Sequence, residues 1–273
     1  MRARTMVMTA ALGFALAPVA AADDGGVLAA LVDFFVGPQQ KAEFRWTGKL
    51  AEGQALEVKG INGGITVEPG DTPAVGIEAM RKGRRNDPNE VRIVVLEHAG
   101  GITVCSVYPA SDGKANECAP GNAGRLSSKN NDVSVEYRIR VPRSAPLKLS
   151  TVNGGVRAEG FRGEVTAETV NGGIDIATEG AARAETVNGG IDAKMGARFG
   201  DTRFETVNGG IELTLPAAAA AELDASCVNG SISTDFEVAG ASKTRRSLRG
   251  TIGAGGPKLS LETVNGGISI VRR

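Results

Sequence analysis

Aromatic residues are scarce in this chain of 273 residues: they make up 4% of it, with two tyrosines and a single tryptophan, Trp46. A chain so poor in large rings does not fill one thick globular core, and its 38 glycines point instead to a thin structure that buries a ribbon of small aliphatic side chains. Histidine is almost absent. His98 is the only one, so a Ser-His-Asp or Cys-His centre has a single place to form, and the setting between Glu97 and Ala99-Gly100-Gly101 reads as a strand end. The three cysteines show no metal-ligand spacing. Acidic and basic residues balance at 31 each, which removes any bulk electrostatic reason to seek nucleic acid. The apolar run Met6–Ala17 falls short of the ~20 residues that a membrane span requires.

That run has another use. Arg2 and Arg4 precede it, and Val19-Ala20-Ala21-Ala22 before Asp23 suits cleavage after small residues, so residues 1–22 read as a secretory signal peptide. Residues 23–41 follow as a short helix or a leader, with Val27–Val36 as the amphipathic stretch. Export agrees with the cysteines: Cys105 and Cys118 flank a turn-rich segment and are candidates for a disulfide worth about 3 kcal/mol in the loop-entropy model.

What the chain has in quantity is a repeat. Thr-Val-Asn-Gly-Gly-Ile/Val occurs at Thr151–Val156, Thr169–Ile174, Thr186–Ile191, Thr206–Ile211 and Thr263–Ile268, with looser copies at Gly60–Ile65, Cys227–Ile232 and Ser247–Ile252. The third residue of successive copies from 153 to 265 advances by 16 to 21 positions. Such a period is too short for two-helix repeats or propeller blades and suits one coil of a β-solenoid, two short strands with tight turns. Asn-Gly alone also marks antiparallel hairpins; the identity of the copies favours parallel coils, where like stacks on like about 4.8 Å apart. Both residues tolerate positive φ, which is the expected use of the pair.

Alternation then assigns the faces. Counting back by twos from each Asn gives apolar residues throughout, for example Thr169, Ala167 and Val165, or Thr263, Leu261 and Leu259. Thr and Asn are therefore expected inside, with Asn62, Asn153, Asn171, Asn188, Asn208, Asn229 and Asn265 forming a structural asparagine ladder whose amides bond from coil to coil. Cys227 takes the inward Thr position of its coil. The copy at Ser247 breaks phase, because Arg245 and Arg249 would point inward, and is expected to be distorted or looped out.

The opposite parity is the outer face. There Glu168, Glu185, Glu205 and Glu262 line up beside a rank of valines, and no basic residue is expected at an equivalent position. The rank reads as a solvated face, a weak Ca²⁺ site or a partner-binding surface. Residues 42–148 carry further strand-like runs and are expected to be wider, irregular coils ahead of the regular repeats of 149–273. The last coil, ending at Arg273, would leave an open edge for self-association through Val264 and Ile268.

The order of Gly-Ile-Asn-Gly-Gly-Ile-Thr-Val (60–67), Val-Glu-Tyr-Arg-Ile-Arg-Val-Pro (135–142), Leu147-Lys-Leu-Ser and then the stacked Thr-Val-Asn-Gly-Gly-Ile coils resembles the bacterial putative-adhesin family over roughly residues 50–271. The resemblance implies an exported β-solenoid of the cell envelope and brings no catalytic residues with it. Together these readings give an all-β, single-stranded, right-handed parallel β-helix. It is non-enzymatic, without cofactor or metal, and acts in the periplasm or at the cell surface as a structural or interaction module. Its expected partner is an envelope protein or a glycan, with no nucleic acid and no transmembrane segment after signal cleavage. The alternatives are an envelope-stress or signalling accessory protein and a Ca²⁺-dependent polysaccharide-active β-helix enzyme.

Overall fold

The computed structural model describes residues 38–110 and 113–273; the expected signal peptide and the stretch 27–36 lie outside them. Two sheets face each other, one of eleven strands (the front sheet) and one of ten (the back sheet), with no α-helix among the described residues. Most strands belong to parallel coils, each contributing one strand to either sheet. In spatial order, coil 1 is Gly101–Val107 with Ser134–Pro142, coil 2 is Ala55–Lys59 with Ile65–Gly70, and coil 3 is Leu147–Ser150 with Val156–Phe161. Coil 4 is Val165–Asn171 with Ile174–Thr178, coil 5 is Ala182–Asn188 with Ile191–Met195, and coil 6 is Thr202–Asn208 with Ile211–Leu215. Coil 7 is Lys258–Asn265 with Ile268–Arg272, and coil 8 is Ala221–Asn229 with Ile232–Thr234.

This order departs from the chain order at both ends. Coil 2 precedes coil 1 in sequence yet lies between coils 1 and 3, and coil 7, which follows coil 8 in sequence, lies between coils 6 and 8. The expectation of an open edge at Val264 and Ile268 is thereby corrected: Thr263 pairs with Thr206 on one side and Cys227 on the other, and Ile268 pairs with both Ile211 and Ile232. Beyond coil 8 the front sheet adds Ser247–Ile252 and Val238–Lys243, both antiparallel. The Ser247 copy thus lies outside the stack of coils. Residues 42–148, expected as wide coils, supply two parallel coils and three antiparallel strands, Gln40–Lys49 and Ala74–Gly83 in the back sheet and Arg92–His98 in the front sheet.

The interior is a stack of small aliphatic ranks. In the front sheet Leu149, Ala167, Ala184, Phe204, Leu261 and Ala225 fall in register, and across from them lie Ile174, Ile191, Ile211, Ile268 and Ile232, all buried. Coil 5 has Ala182, Ala184 and Ala193 inside, and in the same register the adjacent coil 6 holds the buried ring of Phe204, so small and large side chains meet there as close packing requires.

The bend between the two sheets explains the motif. Each threonine is buried and donates its hydroxyl to the first-glycine carbonyl of the adjacent coil: Thr169 to Gly154 at 2.9 Å, Thr186 to Gly172 at 3.0 Å, Thr206 to Gly189 at 2.8 Å and Thr263 to Gly209 at 2.8 Å. The parallel ladder runs on through the turn, with Gly172 N–H donating to Asn188 O and Gly189 N–H to Asn208 O, both at 3.0 Å. Stacking at this separation leaves no room for a side chain. A Cβ on Gly189 would stand 2.0 Å from Gly172 O, and one on Gly209 would stand 2.0 Å from Gly189 O. Glycine is thus required by close approach of backbones. The expected positive φ is not used: among the strict copies no motif Asn or Gly has it.

The two tyrosines of the chain both lie in the wide end. Tyr108 donates to Val133 O at 2.8 Å, and Tyr137 shares a 2.7 Å hydrogen bond with Ser106. Burial raises the Tyr108 hydroxyl to about 12, against hydrogen bonding with Asn62 that lowers it, and burial raises Tyr137 as well.

Two expectations follow. Gly189→Ala should lower the stability measured by urea unfolding by about 3 kcal/mol, as overpacking against backbone does, whereas Gly190→Ala, whose Cβ would stand 3.4 Å from Gly210 O, should stay within about 1 kcal/mol of the parent. The tyrosines, ionising near 10 when unfolded and higher when folded, favour the native state fully below pH 10 and lose that contribution as pH rises toward 12. Tyrosinate absorbance at pH 11 should accordingly appear only together with unfolding, as a combined absorbance and circular dichroism titration would show.

Candidate functional site: the front face of the solenoid

Three parallel ranks cover the front face. The first is Ser150, Glu168, Glu185, Glu205, Glu262 and Ser226, in register across coils 3 to 8. Beside it Val152, Val170, Val187, Val207 and Val228 are large apolar residues left 38 to 53% exposed, with Val264 half-buried among them. At the bend comes the asparagine ladder. Asn153 donates to Asn62, Asn171 to Asn153, Asn188 to Asn171, Asn208 to Asn188, Asn265 to Asn208 and Asn229 to Asn265, Nδ2 to Oδ1 at 2.8 to 2.9 Å.

The ladder lies outside, which corrects the inward placement. Strict alternation fails at a convex corner, where valine and asparagine both turn outward after the buried threonine. Six of the seven amides are exposed, from Asn153 onward, and Asn62 is half-buried.

The glutamates differ among themselves. Arg183 forms an ion pair with Glu185, and Arg203 with Glu205, each from two positions earlier on the same strand and face. Thr166 and Ser260 occupy the equivalent positions before Glu168 and Glu262, which have no ion-pair partner among the described residues. The expectation that no basic residue matches the glutamate rank is therefore corrected. The pattern Arg-x-Glu at 183–185 and 203–205 was legible as a same-face pair, since residues two apart on a strand share a side. Repulsion within the rank is relieved at its two central positions. Among the described residues no three His, Cys, Asp or Glu side chains converge in a way that could hold a metal ion.

One end of the face is walled. Cys105 and Cys118 are joined in a disulfide, which ties the segment after coil 1's first strand across the front of coils 1 and 2. Beneath that segment Glu57 accepts from Gly121 N at 3.0 Å and from Thr103 Oγ1 at 2.9 Å, while Lys59 donates to Ala119 O and Gly121 O. His98 closes the chain of bonds. Its Nδ1 accepts from Gly100 N at 3.2 Å, so Nε2 carries the proton and donates to Thr103 at 3.0 Å. Thr103 is fully buried and its hydroxyl is committed to Glu57. The group therefore fastens the wall and presents no nucleophile to solvent. Sequence reasoning had no signal for it beyond the nearness of Cys118 to Ala119 and Gly121.

Between the wall and coils 3 and 4 lies a cleft of about 500 Å³, lined among others by Lys59, Glu117, Leu126, Lys148, Ser150, Thr166 and Glu168. A shallower groove of about 460 Å³ continues from it along the glutamate and valine ranks as far as Glu262 and Val264. The two share Ser150 and Glu168 and make one track, closed at coil 2 and open toward coil 8.

Exposed amide pairs exchange one solvated state for another and contribute about 1 kcal/mol at most each. Asn188→Ala, which removes two of them, should cost about 1–2 kcal/mol in urea unfolding, and Thr186→Val, which leaves the half-buried Gly172 carbonyl without its hydroxyl donor, should cost about as much.

A search of the solved structures finds a putative cell adhesion protein from Clostridium sporogenes ATCC 15579 at 13% identity, covering 86% of this chain and 100% of that one with a TM-score of 0.51. A putative adhesin from Bacteroides fragilis NCTC 9343 matches at 8% identity over 85% of this chain and 97% of that one, with a TM-score of 0.27. The first is similar in fold. None of the curated proteins matches the sequence. The family model described as Toastrack DUF4097 matches residues 122–271, more than half of the sequence and the whole run of regular coils, and the chain belongs to that family.

Proposed function

We propose that this protein is an exported, non-enzymatic interaction module of the bacterial cell envelope, a right-handed single-stranded β-solenoid whose front face takes an envelope protein or a glycan. Residues 1–22 act as the signal peptide, 42–148 form the irregular first region, and 149–273 carry the repeats. The observation that carries the reading is the track itself: a rank of valines on six coils, five of them exposed, flanked by amides on one side and on four of the coils by carboxylates on the other, and stopped at one end by a disulfide-tied wall. Isolated exposed apolar residues need no explanation, but a contiguous rank of them marks a contact surface. The near-invariant hand of parallel crossovers supports the right-handed coil. No described helix is long and apolar enough to cross a membrane. The neighbour similar in fold, a putative cell adhesion protein, is in keeping with a binding role.

Glu168, Glu185, Glu205 and Glu262 would supply the polar contacts, with Glu168 and Glu262 available at no cost to an existing ion pair. The test is capture from envelope extract and on a glycan array, with mature protein compared against Glu168→Lys/Glu185→Lys/Glu205→Lys. A specific protein or glycan held by the parent and bound at least tenfold more weakly by the variant, at an unchanged melting temperature, is the expected result. Equal binding by both proteins, or by neither, would overturn the proposal.

A further inference from the structure

The placement of coil 7 has a consequence beyond the front face. Residues 258–272 enter a slot whose two walls, coil 6 and coil 8, are made by earlier residues of the chain. Both walls meet the coil in one register: Asn208, Asn265 and Asn229 are aligned, as are Phe204, Leu261 and Ala225 in the front sheet and Ile211, Ile268 and Ile232 in the back sheet. The walls therefore match each other as well as they match the coil between them. The linker 216–220, which skips the slot, has five residues, fewer than the six of 196–201 that join the adjacent coils 5 and 6. It suits either spacing.

The approach to coil 7 is built to bend. The connection Gly253-Ala254-Gly255-Gly256-Pro257 has positive φ at all three glycines and follows two antiparallel strands on the outer edge of the front sheet. Past it the coil is held by Asp201 accepting from Lys258 N at 2.9 Å and by Arg272 on Asp235 and over the Phe236 ring. Every one of these contacts, and the burial of Leu259, Leu261, Ile268 and Ile270, is available identically from another copy.

We propose that coil 7 is an exchangeable element and that its acceptor is the slot of a second copy of this chain, giving a dimer in which residues 258–272 are swapped. Only the conformation of residues 253–257 distinguishes the two forms, so the equilibrium is set by concentration and by that connection. Passage between them requires the slot to open.

Cys227 offers a direct readout. It is the register partner of Thr263, and Thr263→Cys puts in coil 7 the residue that coil 8 already has, at a spacing a disulfide can span. The full-length variant is unfolded with its native disulfide intact and refolded over a hundredfold range of concentration. It is then separated by size-exclusion chromatography with light scattering, oxidised, and run on a non-reducing denaturing gel. The expected result is a dimer share that grows with refolding concentration, persists on dilution and runs as a covalent dimer linked 227 to 263, while the monomer is linked internally. A second variant lacking Ala254 and Gly255, without the new cysteine, should raise the dimer share at least severalfold. No dimer at any concentration, a dimer composed of internally linked monomers, or a shortened connection that leaves the dimer share unchanged would each overturn the proposal.

Discussion

The approach of one glycine backbone to the next at each bend is the constraint from which the rest of the structure follows. Gly154, Gly172, Gly189, Gly209, Gly266 and Gly230 stack so closely that a Cβ on any of them would lie 1.9 to 2.2 Å from the carbonyl oxygen of an adjacent coil. Once that contact is made, the flanking residues have fixed tasks. Threonine, the last inward residue before the bend, satisfies the glycine carbonyl from inside; asparagine, at the convex corner, bonds its own copy in the next coil from outside. Neither bond is strong alone. Their repetition holds every coil to one register, and a one-residue slip would turn the buried aliphatic set to solvent.

Registration has an electrostatic cost that the front face manages locally. Like stacks on like at about 4.8 Å, so an acidic position becomes an acidic rank. Arg183 and Arg203 sit beside the two central glutamates of the four, and serines terminate the rank at both ends. On the back face Arg157 likewise pairs with Asp175 at 2.6 Å, where a rank of Asp175, Asp192 and Glu212 begins. Within the front rank, the glutamates left without an ion-pair partner among the described residues are the two at its margins, Glu168 and Glu262. Those margins are where the track offers polar contacts without first breaking an ion pair.

Much of this was legible in the residues. The period, the parity of Thr169, Ala167 and Val165, and the outward glutamates needed only the strand repeat of two. The asparagines were misplaced for a physical reason: parity counting assumes an extended chain, and at Val170 and Asn171 the chain turns a corner, so both side chains leave the interior. The role of glycine was misassigned because Asn-Gly serves two kinds of turn, one requiring positive φ and one requiring the absence of a Cβ, and composition does not separate them. Of the wall at Cys118–Gly121 only the disulfide to Cys105 was legible, since its other anchors, Glu57, Lys59 and Thr103, carry no motif.

The order of the coils is the deepest loss, and its cause is the repeat. Because every copy presents the same Thr, Asn and Gly to its neighbours, local pairing is degenerate: nothing in Thr206–Ile211 prefers Thr263–Ile268 over Cys227–Ile232 as the next coil. What decides is outside the motif. The outer edge of coil 8 is taken by the antiparallel strand Ser247–Ile252, with Arg249 meeting Asp224 at 2.8 Å across the pair, which leaves its inner edge for coil 7. A bulge between Ala239 and Ser242 then disrupts the exposed edge beyond, as natural sheets do to discourage further pairing. The repeat supplies affinity between coils, and the irregular segments between repeats supply order and termination. In a tandem fold the least repetitive residues therefore carry most of the topological information.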